Sequence, residues 1–279
     1  MTARFSLLSL LIAGLLVTHA ASARLVGSSD VTYSTEEQLA ADVALSPCKN
    51  DDRFGAAREL FSRCGANSEN SSVVEAGKYK NFVATIPGTG SGTVVIGAHY
   101  DKAKEGCGAV DNWSGVTLVA HLYKTFHQMH PQRTFIFVAF GGEEVDLNGS
   151  RAMANAIPKA ERSSYCAMIN FDSFGLGRPQ IIEEISSPKL TRLVAKIAEE
   201  SKVPFSAATL GIGDSDSTSF KRVGIPAVTL HGLSNEWNRV IHTDNDKVSV
   251  IQPSSLYAGY VLAINVMKKV DSTDCAQLR

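Results

Sequence analysis

The sequence is short of net charge, of cysteine and of any apolar run long enough to cross a membrane, and each shortage excludes something. With 27 basic and 28 acidic residues among 279, the chain has no field that would gather nucleic acid or an anionic membrane surface. Five cysteines are too few for a disulfide scaffold, whereas 44% hydrophobic residues suffice for one large α/β domain with its own core. A second independent domain would be cramped. No internal repeat, long linker or low-complexity tract occurs, and no Gly-x-Ser-x-Gly elbow follows an apolar strand, which argues against a Ser-His-Asp hydrolase. The uncharged apolar run from Phe5 to Val17 falls short of the ~20 residues a spanning helix needs. Lying between Arg4 and Ala21-Ser22-Ala23, it reads as an export signal, residues 1–23, cleaved before Arg24. Losing Arg4 leaves 26 basic against 28 acidic residues, a formal charge of about −2. The expected partner is a small molecule or peptide, in a secreted or periplasmic setting; the oligomeric state is not legible.

What is present is an alternation of apolar strands and helical stretches over residues 24–279, read as one domain. Ser34 to Leu60 is a helical cap broken at Pro47. Val73 to Ile86 alternates as a strand pair, followed by a turn from Pro87 to Gly92. Strands are expected at Thr93–Gly97, Arg133–Phe140, Cys166–Phe171 and Ile225–Leu230, with a further candidate at Gln180–Ile185. Helical spacing follows Asn112, covers Gly149–Ala156 and Ser187–Ser201, with Pro188 in the first turn of the latter, and runs from Pro253 to about Lys268. This order predicts a three-layer α/β/α sandwich around a central mixed, mostly parallel sheet.

The most informative stretch is Phe135 to Phe140, which has no polar face and stops at Gly141-Gly142-Glu143-Glu144. Such a run suits a central strand covered on both sides, and ligands in such sheets bind at the carboxyl ends of the strands. Taken alone, it could equally be a strand ending in a solvated charged turn. Four further signals share the placement: His99 with Asp101, Asp111 at a helix start, Asp172 after the third strand, and His242 in the loop after the fourth. Imidazole mixed with carboxylate points to zinc, and two ions would use the whole set. Zinc polarises a carbonyl and acidifies a water, and a non-ligating carboxylate then carries the proton. Glu143 and Glu144 divide those roles, and Asp101 is placed to accept the second N–H of His99.

In their order along the chain these motifs resemble the secreted di-zinc aminopeptidases of the α/β/α metallopeptidase type, a group that includes glutamate carboxypeptidases and glutaminyl cyclases. The resemblance covers roughly residues 73–267, through His99-Tyr100-Asp101, Gly108-Ala109-Val110-Asp111-Asn112-Trp113-Ser114-Gly115, Gly142-Glu143-Glu144, Asp172 and His242-Thr243-Asp244-Asn245-Asp246. It implies that Asp111 bridges two zinc ions, that His99 and Asp172 complete one site and Glu144 and His242 the other, and that Glu143 is the general base. It also implies a cis peptide between Asp111 and Asn112, and a peptide or small amide with a free N-terminus as substrate. One departure is Ser215-Asp216-Ser217, where members often have histidine in the place of Ser217. Asp214 and Asp216 are then open to a substrate amine or, in preference, a helix N-cap. Asn112, Gly115 and the missing histidine favour a peptidase over a one-zinc glutaminyl cyclase; a receptor that keeps the fold without catalysis would lack the ligand set.

Among the cysteines, Cys48 is expected to pair with Cys64, and the odd count leaves at least one thiol unpaired or bonded to another chain. For Cys107, in a Gly-Cys-Gly loop, a structural or free thiol is preferred to a zinc ligand. Sequons stand at Asn70, Asn112 and Asn148, with Asn112 placed too deep to be glycosylated. Trp113 reads as packing and Trp237 is left open; histidines 121, 127 and 130 read as surface or core, His231 less surely so.

Overall fold

The computed structural model describes residues 31–208, 211 and 214–279, so the export-signal reading lies outside it. Eight strands form one sheet: β1 (Ser71–Ala76), β2 (Tyr79–Ile86), β3 (Thr93–His99), β4 (Thr134–Phe140), β5 (Tyr165–Phe171), β6 (Gln180–Ile182), β7 (Ser206–Ala208) and β8 (Ala227–His231). Their order across the sheet is β1-β2-β4-β3-β5-β8-β6-β7. The central strands β4, β3, β5 and β8 are mutually parallel, and antiparallel neighbours β2 and β6 close them in.

The apolar strands have no polar side because both faces are covered. Along β4, Phe135, Phe137 and Ala139 enter one core while Val138 and Phe140 enter a second on the opposite face. The larger core takes in α1 (Glu36–Val43), α2 (Asn50–Arg63), α3 (Ser114–Phe126), α5 (Pro188–Glu200) and α7 (Pro253–Ser272). The smaller receives Ala154 of α4 (Asn148–Ala156) and Phe220 of α6 (Asp216–Arg222). This is the mixed, mostly parallel α/β sandwich that the strand–helix alternation predicts. Local signals set several boundaries: Thr35 and Gln38 form a capping box at the start of α1, and Pro188 opens α5. The short β7 and α8 (Cys275–Leu278) are too brief to show a period in the sequence. Among the described residues no helix is long and apolar enough to cross a membrane.

The cysteine pairing differs from expectation. Cys48 bonds Cys107, Cys166 bonds Cys275, and Cys64 is buried and unpaired. Cys48 and Cys64 stand at opposite ends of α2, whose 14 residues span ~21 Å at 1.5 Å per residue. Burial raises the Cys64 thiol to about 12, which makes it inert. His121 is a core residue. Its ring nitrogens lie 2.7 Å from Ser34 Oγ and 2.9 Å from Asp42 Oδ2, tying the N-terminal segment to α3. This Ser-His-Asp trio is no hydrolase centre, because Ser34 is only 1% exposed and no substrate reaches it.

Candidate metal centre

Parallel pairing brings the strand-end signals to one level. His99 lies opposite Phe140 across β3 and β4, and Gly97 opposite Asn170 across β3 and β5, so His99, the Gly-Glu-Glu turn and Asp172 leave the sheet side by side. Gly142 turns with φ 76°, a left-handed value that a side chain would resist, and a Cβ there would lie 2.7 Å from the Tyr79 ring. The turn is then held by Asp101: its carboxylate accepts the amides of Gly142 at 2.9 Å, Glu143 at 3.1 Å and Glu144 at 3.2 Å. The expected hydrogen bond from His99 to the Asp101 carboxylate is therefore not made, Oδ1 standing 3.9 Å from His99 Nδ1. His99 Nδ1 donates instead to the Asp101 backbone carbonyl at 3.1 Å, which leaves Nε2 to face the acids.

Asp111 lies at the centre of the cluster. Its Oδ1 is 3.3 Å from His99 Nε2 and its Oδ2 is 2.9 Å from His242 Nε2. Asp172 Oδ1 approaches His99 Nε2 at 3.5 Å, and Glu144 Oε2 approaches His242 Nε2 at 3.4 Å. Glu143 Oε2 stands 3.9 Å from His99 Nε2, on the Asp172 side. All of the sequence-predicted residues thus meet in one cluster. The Asp111–Asn112 peptide is cis, as the resemblance implied. The buried Asn112 side chain holds this turn, donating to Phe171 O at 2.8 Å and accepting from the Gly115 and Ser173 amides at 3.0 and 3.1 Å. Asp172 is oriented by hydroxyls, Ser215 Oγ at 2.6 Å and Ser173 Oγ at 3.2 Å.

The donor set fits divalent metal. One ligand atom from each of His99, Asp111 and Glu144 lies within 4.8 Å of the others, and the same holds for His99, Glu143 and Asp172. The second carboxylate oxygen of Glu144, Oε1, is buried without a hydrogen-bond partner, which a cation or a water at that spot would satisfy.

Electrostatics point the same way. Burial opposes ionisation of Asp111, yet the His242 and His99 imidazoles hold it below the usual carboxylate range. His242 is lifted to about 9, first by its hydrogen bond to Asp111 and then by the charges of Asp111 and Glu144. Burial would lower His99, but Glu143, Asp111 and Asp172 around it raise it well above the usual imidazole value. Burial, reinforced by Asp111, carries Glu144 up to about 7. Glu143 is raised well above the carboxylate range by burial, against the pull of His99 and with help from Asp172 and Asp216.

Metal must displace these protons. Without metal, the raised value of His242 contributes stability that is complete below the ordinary ~6.5 and is lost as pH rises through about 9. Zinc affinity is therefore expected to weaken as pH falls below about 9, by about tenfold per pH unit for each proton released. Calorimetric titration at pH 7 in two buffers of different ionisation enthalpy should show proton release; a pH-independent affinity would contradict this account.

A cavity of about 300 Å³ opens over the cluster, bordered by His99, Asp111, Glu143, Asp172 and His242 and by the apolar Ile182, Leu233, Trp237 and Ile241. Glu143 borders it and Glu144 does not. The apolar wall escaped sequence reasoning, apart from Trp237, because it joins Ile182 at the end of β6 to the stretch from Leu233 to Ile241 that follows β8. So did the role of Asp246, quoted only as a motif letter: its carboxylate accepts the Val110 and Asp111 amides at 2.7 and 3.1 Å. Asp214 lies on the cavity rim, paired with Arg222. Asp216 does not cap α6; it is fully buried, and burial raises it to about 7. Ser217 is buried against Thr229 Oγ1 at 2.6 Å. Trp113 packs in the core, and Cys107 is taken up by its disulfide and is no metal ligand.

The family model described as Peptidase family M28 matches residues 81–267. Leupeptin-inactivating enzyme 1 of Streptomyces exfoliatus is 30% identical over 149 residues, covering 52% of this chain and 34% of that protein. A probable leucine aminopeptidase of Arthroderma otae is 29% identical over 193 residues, covering 62% of this chain and 52% of that protein. The chain spans between about a third and a half of the length of these two curated relatives. Among solved structures, the LapA aminopeptidase of Legionella pneumophila superposes with a TM-score of 0.70 at 21% identity, over 90% of this chain and 79% of that one. A glutaminyl cyclase from an Acidobacteriales bacterium gives 0.71 at 16% identity, over 89% and 99%. At these identities the structural likeness speaks for the fold.

Proposed function

This chain belongs to peptidase family M28, and from that premise we propose that it is an exported, zinc-dependent aminopeptidase, with residues 24–279 acting as a single peptidase domain. The observation that carries the reading is the cavity in which candidate ligands, a raised carboxyl and an apolar wall meet. His99 and Asp172 would hold one ion and Glu144 and His242 the other, with Asp111 offering an oxygen to each. When bound, zinc supplies a Lewis acid for the scissile carbonyl and brings the pKa of a water to about 7.

The remaining steps fall to the chain's own groups. Glu143, bordering the cavity, takes the proton of the attacking water and passes it to the leaving amine. Its raised pKa in the metal-free state comes first from burial and then from the negative charge of Asp172, Asp216 and Asp111, and bound cations would offset the latter. Asp101 acts through the backbone by fixing the turn that aims Glu143 and Glu144. The carboxylates around the cavity would receive the free amine of the substrate, while Ile182, Leu233, Trp237 and Ile241 take an apolar first side chain.

Purified, zinc-loaded protein incubated with a leucyl anilide and with glutaminyl peptides should release the amine by hydrolysis. Pyroglutamate formation without hydrolysis would replace this reading with a glutaminyl cyclase. Protein that binds no zinc and turns over neither substrate would be a non-catalytic member of the fold.

A further inference from the structure

Helix α2 sends one side chain beneath the site. Arg53 is fully buried, its guanidinium 5.2 Å from the centre of the Trp113 ring. Its hydrogen bonds go to four backbone carbonyls: Nε donates to Tyr100, Nη1 to Pro47 at 2.7 Å and Cys107 at 3.0 Å, and Nη2 to Gly108 at 3.0 Å. Tyr100 lies between His99 and Asp101, and Cys107-Gly108 leads into Asp111. The same stretch grips these loops twice more. Asn50 donates to Lys102 O and accepts from Lys102 N, both at 2.9 Å, and Cys48 is bonded to Cys107. Burial lowers the guanidinium to about 10, and the negative charge of Asp101, Asp111, Asp246 and Glu144 opposes that cost in part.

We propose that Arg53 is a positioning residue for the metal centre, holding the loop that follows His99 and the loop that precedes Asp111 at the separation their shared ion requires. This rests on the zinc peptidase reading above. A planar guanidinium bridges carbonyls of both loops at once, whereas a lysine ammonium keeps the charge but is a single point donor on a flexible stem. Arg53 does not border the cavity, so its effect passes through ligand geometry and leaves substrate contacts alone.

The test compares wild-type protein with Arg53→Lys and the milder Asn50→Ala by zinc calorimetry, by the visible spectrum after cobalt(II) substitution, and by kinetics on a leucyl anilide. Arg53→Lys is expected to bind zinc about 10–100-fold more weakly, to show an altered cobalt spectrum, and to lose kcat at unchanged KM. Asn50→Ala should change the same quantities less. Folded variants with wild-type zinc affinity, spectrum and kcat overturn the proposal, and if Arg53→Lys does not fold, Asn50→Ala decides it by the same measurements. A wild type that binds no zinc removes the peptidase reading and this inference together, whereas unaltered variants of a zinc-binding wild type remove this inference alone.

Discussion

Glu143→Gln is expected to keep its zinc and its fold while kcat falls by about 10²–10⁴-fold, the range that a positioned general base contributes. Glutamine preserves the volume of the side chain and the backbone amide that donates to Asp101 at 3.1 Å, so the turn stays in place. What it removes is the carboxylate that borders the cavity, the group proposed to take the proton. Glu143 stands 3.9 Å from His99 Nε2, close enough that a direct ligand role is the rival explanation. Metal content and kcat measured on the same preparation separate the two, because a lost ligand would appear as lost zinc.

Glu144→Ala should give the opposite pattern. This carboxylate stands 3.4 Å from His242, with one oxygen buried and unpartnered, and does not line the cavity. Its removal takes a direct candidate ligand from the ion that Asp111 and His242 are proposed to share. Since loss of a partner one shell further out costs about 10–100-fold in metal affinity, loss of Glu144 is expected to cost more than that at its own site. Activity should then recover in part with excess zinc, which it would not do in Glu143→Gln. If both variants lose metal alike, or both keep it with equal loss of turnover, the division of labour between the adjacent glutamates is wrong.

The proposed division rests on the turn they occupy. Both glutamates lie beyond the end of β4, in a turn whose amides at Gly142, Glu143 and Glu144 are fixed on Asp101. Of this, the Gly-Glu-Glu stretch showed that two acids reach one site. It did not show which of them faces the cavity.

Asp101 illustrates the boundary between what spacing shows and what it hides. Two residues past His99, it was expected to orient the imidazole, and it does so with its backbone carbonyl. The side chain goes to the next strand's turn because β3 and β4 are parallel neighbours that end level with one another. Asp246 and Arg53 act on Asp111 or its approach from segments distant in sequence; no local pattern marked Arg53, and the motif that contains Asp246 did not show its contact with the Val110 and Asp111 amides.

The sequence by itself determined the alternation of strands and helices, the covered central strand and the identity of the acids and imidazoles at the strand ends. These follow from local periodicity and from where apolar runs stop. Tertiary structure alone decided the cysteine pairing, the apolar wall of the cavity and the clamp on the metal-centre loops. Each depends on which distant segments the sheet order brings together: a rigid α2 keeps Cys48 from Cys64 and presents it to Cys107 instead.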